Sequence, residues 1–131
     1  MLVVDASVLV VALVDDGPDG RAARARLRAE SLVAPELVDL EVLSVIRRAH
    51  RAGALGEQRA LQAGTDLQSL PLRRTSHRPL LHRCWELRDT VSAYDAAYVA
   101  LAEALDAPLW TLDRRLAVAP GPRCAFRLPQ S

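Results

Sequence analysis

Four carboxylates stand in apolar surroundings, where soluble proteins seldom place charge. Asp5 and Asp113 each follow a short apolar run, Glu41 lies inside one, and Asp95 opens one. A buried carboxylate that lacks a partner is costly enough that it protonates, forms an ion pair or binds a metal. Four such residues, each from a different segment, predict one acidic pocket that holds divalent cations.

The chemistry of such a pocket follows from its charge. Four carboxylates about 5 Å apart would repel by roughly 3 kcal/mol per pair, or on the order of 20 kcal/mol in total, at an effective dielectric constant of about 20. That exceeds the stability of a typical domain, so the cluster must protonate, move apart or bind a cation. Oxygen ligands favour Mg²⁺ or Mn²⁺ over zinc. These ions lower the pKa of bound water until it attacks phosphorus, which indicates phosphodiester hydrolysis.

Glu41 is the most informative of the four acids. On a helix, its neighbours one turn before and after are Leu37 and Val45, so Glu41 lies on or beside the stripe that faces the core. The alternative to a metal ligand is a buried ion pair, for example with Arg48 on the same helical face. No capping role accounts for an acid in the middle of a helix.

The three aspartates have a plainer alternative role at helix N-termini. Ser92-Ala93-Tyr94-Asp95 matches the Ser-x-x-Asp form of a capping box. Asp113 and Asp5 each follow a strand, so each is also a candidate N-cap, and Ser7 could share the role of Asp5. Capping and metal binding are compatible, because a capping carboxylate can still turn an oxygen towards a cation.

The remaining pattern predicts an α/β fold. Short apolar strands alternate with helices, which is typical of a parallel sheet in three layers. The predicted strands are 2–4, 32–34, 71–73, 108–112 and 124–128. The predicted helices are 7–14, 19–30, 35–52, 56–70, 77–88, 92–105 and 113–118, with Pro35 at the first helical position of the third. Asp5 and Asp113 then follow strand carboxyl ends, where parallel sheets bind ligands.

Length and composition narrow the class of protein. With 131 residues, half of them apolar and a quarter charged, the chain suits one globular domain over residues 1–131. The apolar run 8–14 is too short to cross a bilayer and follows no basic segment, so we expect no membrane span and no secretory signal. A net charge of +1 means that any affinity for nucleic acid must come from local patches or bridging metals.

At this point four segments resemble a known family. Met1 to Leu9 resembles the opening strand of PIN-domain proteins, which ends in Asp-x-Ser, and Leu40 to Arg48 resembles their conserved-acid helix. Tyr94 to Ala102 is the most specific match, and Thr111 to Leu116 matches the last acidic motif. Order and spacing agree as far as about Ala119. The chain is similar above all to the VapC toxins of bacterial VapBC toxin–antitoxin pairs.

The resemblance implies a three-layer α/β/α PIN-like fold with a mainly parallel sheet, and a cytoplasmic endoribonuclease that depends on Mg²⁺ or Mn²⁺. It also implies a homodimer and a VapB-like antitoxin that covers the active site, with contact to DNA only through that antitoxin. By position, Asp5, Glu41, Asp95 and Asp113 are the acidic quartet, and Ser7 and Thr111 support them. We expect Asp5 and Asp95 to hold the principal metal, Glu41 to bind it directly or through water, and Asp113 to complete the shell or hold a second ion.

Basic residues offer candidate contacts to RNA. Arg114 and Arg115 are the best candidates because they lie beside Asp113. Three further groups provide phosphate contacts or are simply solvated helix faces: Arg21, Arg24, Arg26 and Arg28; Arg47, Arg48 and Arg51; Arg73, Arg74 and Arg78. With only five aromatic residues, an aromatic platform for base stacking is not expected. His50, His77 and His82 are interpreted as surface or packing residues. Cys84 and Cys124 are interpreted as structural thiols, with a disulfide as the alternative.

Other classes of protein fit less well. A receiver domain requires an acidic pair at the first strand and a late lysine, but the chain has one aspartate there and contains no lysine. A haloacid-dehalogenase-type phosphatase requires Asp-x-Asp, where Asp5-Ala6-Ser7 supplies a serine. The alternative that remains is a non-catalytic module that binds RNA or a protein on the same fold.

Overall fold

The elements are those of an α/β protein. The computed structural model describes residues 1–128. Its strands are β1 Leu2–Val4, β2 Leu32–Pro35, β3 Leu72–Thr75, β4 Leu109–Trp110 and β5 Phe126–Arg127. Its helices are α1 Ala6–Val14, α2 Pro18–Ala29, α3 Val38–Arg51, α4 Glu57–Ser69, α5 Leu81–Glu86, α6 Ala93–Leu105 and α7 Arg114–Val118, with a 3-10 turn at Arg78–Leu80 before α5.

The five strands form one parallel sheet in the order β3-β2-β1-β4-β5. Helix α1 contacts α2, α3 and α4, and α3 also contacts α4, whereas α6 packs against β1, β2, β4 and α5. The central strand β1 is completely buried, as expected for a strand covered on both faces. The predicted three-layer α/β fold with a mainly parallel sheet is confirmed.

The strand order places a ligand-binding crevice at β1. From β1 the chain adds β2 and β3 on one side, and then returns to add β4 and β5 on the other side. The connections therefore leave β1 and β4 in opposite directions. Open α/β sheets bind ligands at such a reversal, beyond the carboxyl ends of the strands. Asp5 follows β1, and Thr111 to Asp113 follow β4.

Pro35 does not begin a helix, so that prediction was wrong. It is the last residue of β2, paired with Thr75 of β3, and α3 begins at Val38. The pairing of β2 with β1 has already ended at Val33. A proline at this end of the strand therefore removes no hydrogen bond from the β1 ladder. The next residue, Glu36, donates its backbone N–H to the Thr75 carbonyl instead.

Other boundaries differ by smaller amounts. The predicted helix 77–88 begins with a 3-10 turn, in which the Leu80 N–H bonds to the His77 carbonyl. The third strand begins one residue later than predicted and extends to Thr75. The last strand is only Phe126–Arg127. Among residues 1–128, no helix is long and apolar enough to cross a membrane.

Candidate active site

All four predicted acids line one cavity at the carboxyl edge of the sheet. It has a volume of about 530 Å³, and its walls come from the end of β1, from α3, from the start of α6 and from the loop after β4. The acidic residues in its lining are Asp5, Glu41, Asp95 and Asp113. Four segments that are far apart in the sequence therefore meet at the crevice that the strand order creates.

Asp5 forms the floor of this cavity and is only 6% exposed. It is the N-cap of α1, where Oδ1 accepts the Val8 backbone N–H at 3.4 Å. Oδ1 also accepts the Ser7 hydroxyl, and Oδ2 accepts the Thr111 hydroxyl, each at 2.5 Å. Burial raises the pKa of Asp5, and the nearby charge of Asp95 adds to the rise, although the hydrogen bonds oppose it.

Ser7 and Thr111 join the ends of β1 and β4. While each hydroxyl donates to Asp5, Ser7 Oγ accepts the Leu112 N–H at 3.1 Å and Thr111 Oγ1 accepts the Asp113 N–H at 3.0 Å. Both hydroxyl groups are thus fixed in orientation by a donor and an acceptor. The network couples the position of the Asp5 carboxylate to that of the loop that carries Asp113.

Glu41 lies in the first turn of α3 and is only partly buried, so the prediction that it stands in the middle of a helix was wrong. Its partner is the Tyr98 hydroxyl, which donates to Oε1 at 2.6 Å. The alternative partner, Arg48, makes no ion pair with it among residues 1–128. Burial raises the pKa of Glu41, and the charges of Asp95 and Asp5 act in the same direction.

Asp95 lies in the first turn of α6, where its backbone N–H bonds to Ser92 Oγ at 3.1 Å. This is the serine half of the predicted capping box. Burial raises the pKa of Asp95, with a further contribution from the charge of Asp113. The charge of Asp113, which lines the same cavity, therefore acts on the Asp95 carboxylate.

Asp113 is the N-cap of α7, as predicted. Its Oδ1 accepts the Arg115 N–H at 2.9 Å and the Leu116 N–H at 3.4 Å. The Arg115 Nε lies 3.6 Å from the same oxygen, which is an exposed and weak ion pair. Arg115 therefore lies beside the acids, as the sequence suggested. Its guanidinium group, however, already forms a weak ion pair with Asp113.

The donor set fits a hard divalent cation. The four acids offer only carboxylate oxygens as metal ligands. Burial and mutual repulsion raise the pKa of Asp5, Glu41 and Asp95. A cation would relieve both effects. Among residues 1–128, however, no three His, Cys, Asp or Glu side chains already converge as a complete metal-binding group. The four acids therefore line one cavity, but they are not arranged as a preformed set of ligands around one position.

The arginines divide into engaged and solvent-facing residues. Arg74 makes a bidentate ion pair with Asp39, with Nη2–Oδ1 at 2.9 Å, and also donates to the Leu67 and Leu72 carbonyls. Arg24 donates to the carbonyls of Ala12 and Asp15 at the end of α1. The guanidinium groups of these two arginines are therefore engaged by the fold and are not simply solvated, which weighs against their use as guides for RNA.

Histidines and cysteines take no part in the lining of the cavity as far as residues 1–128 describe it. His50 Nδ1 bonds to the Leu55 carbonyl at 3.0 Å, and His82 is an exposed residue 3.9 Å from Glu86. Cys84 and Cys124 are free thiols. Burial raises the pKa of both thiols, that of Cys124 to about 11, which disfavours the reactive thiolate form.

Tyr98 is the site residue that sequence reasoning missed. It is 1% exposed, and burial next to Glu41 raises its pKa well above the ordinary range, so it stays a neutral donor. The available signal was its spacing: it follows Asp95 by one helical turn in an otherwise apolar helix. A buried tyrosine hydroxyl needs a partner. Only the folded structure, which brings α3 next to α6 at this point, shows that Glu41 is that partner.

Known proteins share this sequence and fold. A family model described as "PIN domain" matches residues 2–122. Ribonuclease VapC1 of Mycobacterium tuberculosis is 43% identical over 127 residues, 96% of each chain. Ribonuclease VapC9 of the same organism is 46% identical over 119 residues, 88% of each chain. Ribonuclease VapC12 is 39% identical over 128 residues, 98% of each.

Solved structures with lower sequence identity have the same fold. The crystal structure of VapC20 from M. tuberculosis, described as a "Sarcin-Ricin loop cleaving toxin", has a TM-score of 0.68 at 15% identity and covers 92% of this chain and 100% of its own. VapBC2 from Rickettsia felis, solved with a DNA fragment from its promoter, also has a TM-score of 0.68, at 12% identity and 97% coverage of both chains.

The resemblance drawn from the four acidic motifs is thereby confirmed. The family model spans nearly the whole chain, and the three relatives carry the same family name over at least 88% of their length. The receiver and phosphatase alternatives do not apply. The chain belongs to the PIN-domain family, in its VapC ribonuclease group.

Proposed function

We propose that this chain is a metal-dependent endoribonuclease, the toxin of a toxin–antitoxin pair, which hydrolyses RNA phosphodiester bonds at its four-carboxylate site. The observation that carries the proposal is the meeting of Asp5, Glu41, Asp95 and Asp113 in one cavity at the sheet reversal. The names of the relatives, each a ribonuclease, support the reaction and the substrate. Residues 1–131 would act as one PIN domain.

Mg²⁺ or Mn²⁺ is the proposed cofactor. When bound, such an ion supplies a Lewis acid that offsets phosphate charge and lowers the pKa of water. Asp5 and Asp95 would hold the principal ion, with Glu41 binding it directly or through water. Asp113 would complete the shell or hold a second ion. Ser7 and Thr111 keep the Asp5 oxygens in place, and Tyr98 does the same for Glu41.

No histidine is needed as a general base. The acidic residues would hold the cation, which would supply the Lewis acid, and the chain places no histidine in the cavity lining that residues 1–128 define. The buried floor at Asp5 limits access of bulk water to the ligands. In this arrangement the protein contributes positioning and electrostatic stabilisation, which are the main sources of rate enhancement in phosphoryl transfer.

The proposed partners are a VapB-like antitoxin and a second copy of the chain, in the cytoplasm. Two structural neighbours are described as toxin–antitoxin complexes, which supports the first. For the second, Leu40, Leu43 and Leu61 are large exposed apolar side chains on α3 and α4, where a two-fold helical interface would form. DNA would be contacted only through the antitoxin.

Cleavage of total RNA tests the proposal. The chain, purified free of any partner, is incubated with total RNA and Mg²⁺ or Mn²⁺ beside Asp5→Ala and the matched surface variant Asp89→Ala. We expect fragments with the wild type and Asp89→Ala, and none with Asp5→Ala. Absence of cleavage by the wild type, or equal cleavage by Asp5→Ala, would favour the alternative of a non-catalytic binding module.

A further inference from the structure

The acidic cavity has an arginine and a tyrosine in its wall that metal binding does not account for. Arg48 lies on α3, and Tyr94 lies in the first turn of α6. Building on the proposed function, we propose that these two residues form a subsite for single-stranded RNA. Arg48 contacts a phosphate next to the scissile one, and the Tyr94 ring stacks on an adjacent base.

Arg48 is placed to extend the site along a polynucleotide. Glu41, Ser44, Val45 and Arg48 lie on one face of α3 and all line the cavity. Arg48 follows Glu41 by two helical turns, about 10 Å along the axis. A phosphate held at the acids is therefore separate from the one that Arg48 contacts, so the guanidinium selects a chain of nucleotides over an isolated phosphate.

The Arg48 guanidinium is also uncommitted. Within residues 1–128 it has no hydrogen bond, ion pair or ring contact, in contrast to Arg24 and Arg74, whose guanidinium groups are engaged by the fold. Arg48 is exposed and lines the same cavity as the four carboxylates. Its positive charge therefore partly offsets their repulsion of an approaching polyanion. A guanidinium also matches the geometry of phosphate oxygens.

Tyr94 presents an aromatic face at the same cavity. It is 64% exposed and directly precedes Asp95. The other rings are committed to the fold or to a cation: Tyr98 and Trp110 are buried, Phe126 is partly buried, and Arg88 stacks over Trp85. A base must leave its helical stack before it can stack on a tyrosine, so the occupant is single-stranded. The small number of aromatic residues led us to expect no base stacking, and the proposal departs from that expectation at this one exposed ring.

Binding of RNA tests this subsite without depending on cleavage. The complete chain is titrated into a fluorescein-labelled single-stranded oligoribonucleotide of about 12 nucleotides, with EDTA or Ca²⁺ present, and anisotropy is recorded at several salt concentrations. We expect Arg48→Ala to weaken binding about tenfold and to reduce the slope of log K against log salt by about 0.7. Arg48→Lys should keep that slope. The matched control is Arg47→Ala, an exposed arginine on α3 outside the cavity lining.

Tyr94 is tested in the same assay. Tyr94→Ala should lose about tenfold in affinity with little change in salt slope, and Tyr94→Phe, which keeps the ring, should restore the affinity. Equal affinities of Arg48→Ala and Arg47→Ala, or of Tyr94→Ala and Tyr94→Phe, would overturn the subsite, as would a wild type that does not bind the oligonucleotide. A wild type that binds as predicted but cleaves with neither Mg²⁺ nor Mn²⁺ would overturn the proposed function and leave the subsite standing.

Discussion

The hydroxyl of Tyr98 donates to Oε1 of Glu41 at 2.6 Å, across 57 positions of sequence. The bond links α6, which carries Asp95, to α3, which carries Glu41. Because Tyr98 is buried and Glu41 is not, the rigid partner is the tyrosine. Tyr98 is therefore a positioning residue, which holds one acid of the site from the helix that supplies another.

Tyr98→Phe tests this relationship. Loss of the bond should cost about 1 kcal/mol in the free energy of unfolding and should lower kcat about tenfold with little change in KM, since Glu41 becomes free to turn away. Kinetics in a Mg²⁺ titration, with urea denaturation of the same samples, would measure both. In a Glu41→Gln background, the same tyrosine change should have little further effect on kcat. Full additivity of the two changes would contradict a role through Glu41.

Thr111 makes the second prediction. Thr111→Val removes the hydroxyl that bonds to Asp5 and Asp113, at a position with 0% exposure. We expect a loss of about 1–3 kcal/mol in the free energy of unfolding, because a buried carboxylate oxygen loses its donor. Thr111→Ser keeps the hydroxyl and should retain most of that stability. Equal urea midpoints for the two variants would show that the hydroxyl network contributes nothing.

The raised pKa values of the acids predict a dependence of stability on pH. Burial raises the pKa of Asp5, so the native protein binds this proton more readily than the unfolded chain. The stability from Asp5 is therefore fully present below the ordinary carboxyl pKa of about 4, and is lost as pH rises through the raised value. In EDTA, the stability of Asp5→Asn relative to the wild type should rise with pH across that window.

Two controls accompany this measurement. Asp89→Asn changes an exposed carboxylate outside the cavity and serves as the matched control. Mg²⁺ at neutral pH should raise the melting temperature of the wild type more than that of Asp5→Asn, since a cation bound only by the native state stabilises it. If the stability of Asp5→Asn relative to the wild type did not change with pH, the raised pKa of Asp5 would be contradicted.

Arg74 supplies a prediction about RNA binding. Its guanidinium is held by Asp39 and by two backbone carbonyls. Arg74→Ala should therefore lower the free energy of unfolding by about 0.5–1 kcal/mol, a modest value because the pair is partly exposed. The salt dependence of RNA binding should stay as in the wild type. A reduced salt slope in Arg74→Ala would restore the interpretation of this residue as a phosphate contact.

The sequence predicted the architecture and the acids because both are local signals. Alternating apolar runs determine strands and helices, and Asp5, Glu41 and Asp95 each stand out against an apolar background. Pro35 was wrongly assigned to a helix. A proline can end β2 because the pairing of β2 with β1 has already ended at Val33, and the sequence alone does not show where that pairing ends. The Tyr98–Glu41 bond and the Asp39–Arg74 pair are contacts between distant segments, and no spacing in one sequence specifies them.

The central claim is that the four carboxylates form one metal site that cleaves RNA. It is tested most directly by the rate of cleavage of a fluorescent single-stranded RNA as Mg²⁺ is titrated, for the wild type and Asp95→Asn in parallel. We expect no cleavage in EDTA, a rate that saturates with Mg²⁺ for the wild type, and a rate at least about 100-fold lower for Asp95→Asn. Undiminished cleavage in EDTA, or equal rates for the two proteins at saturating Mg²⁺, would contradict it.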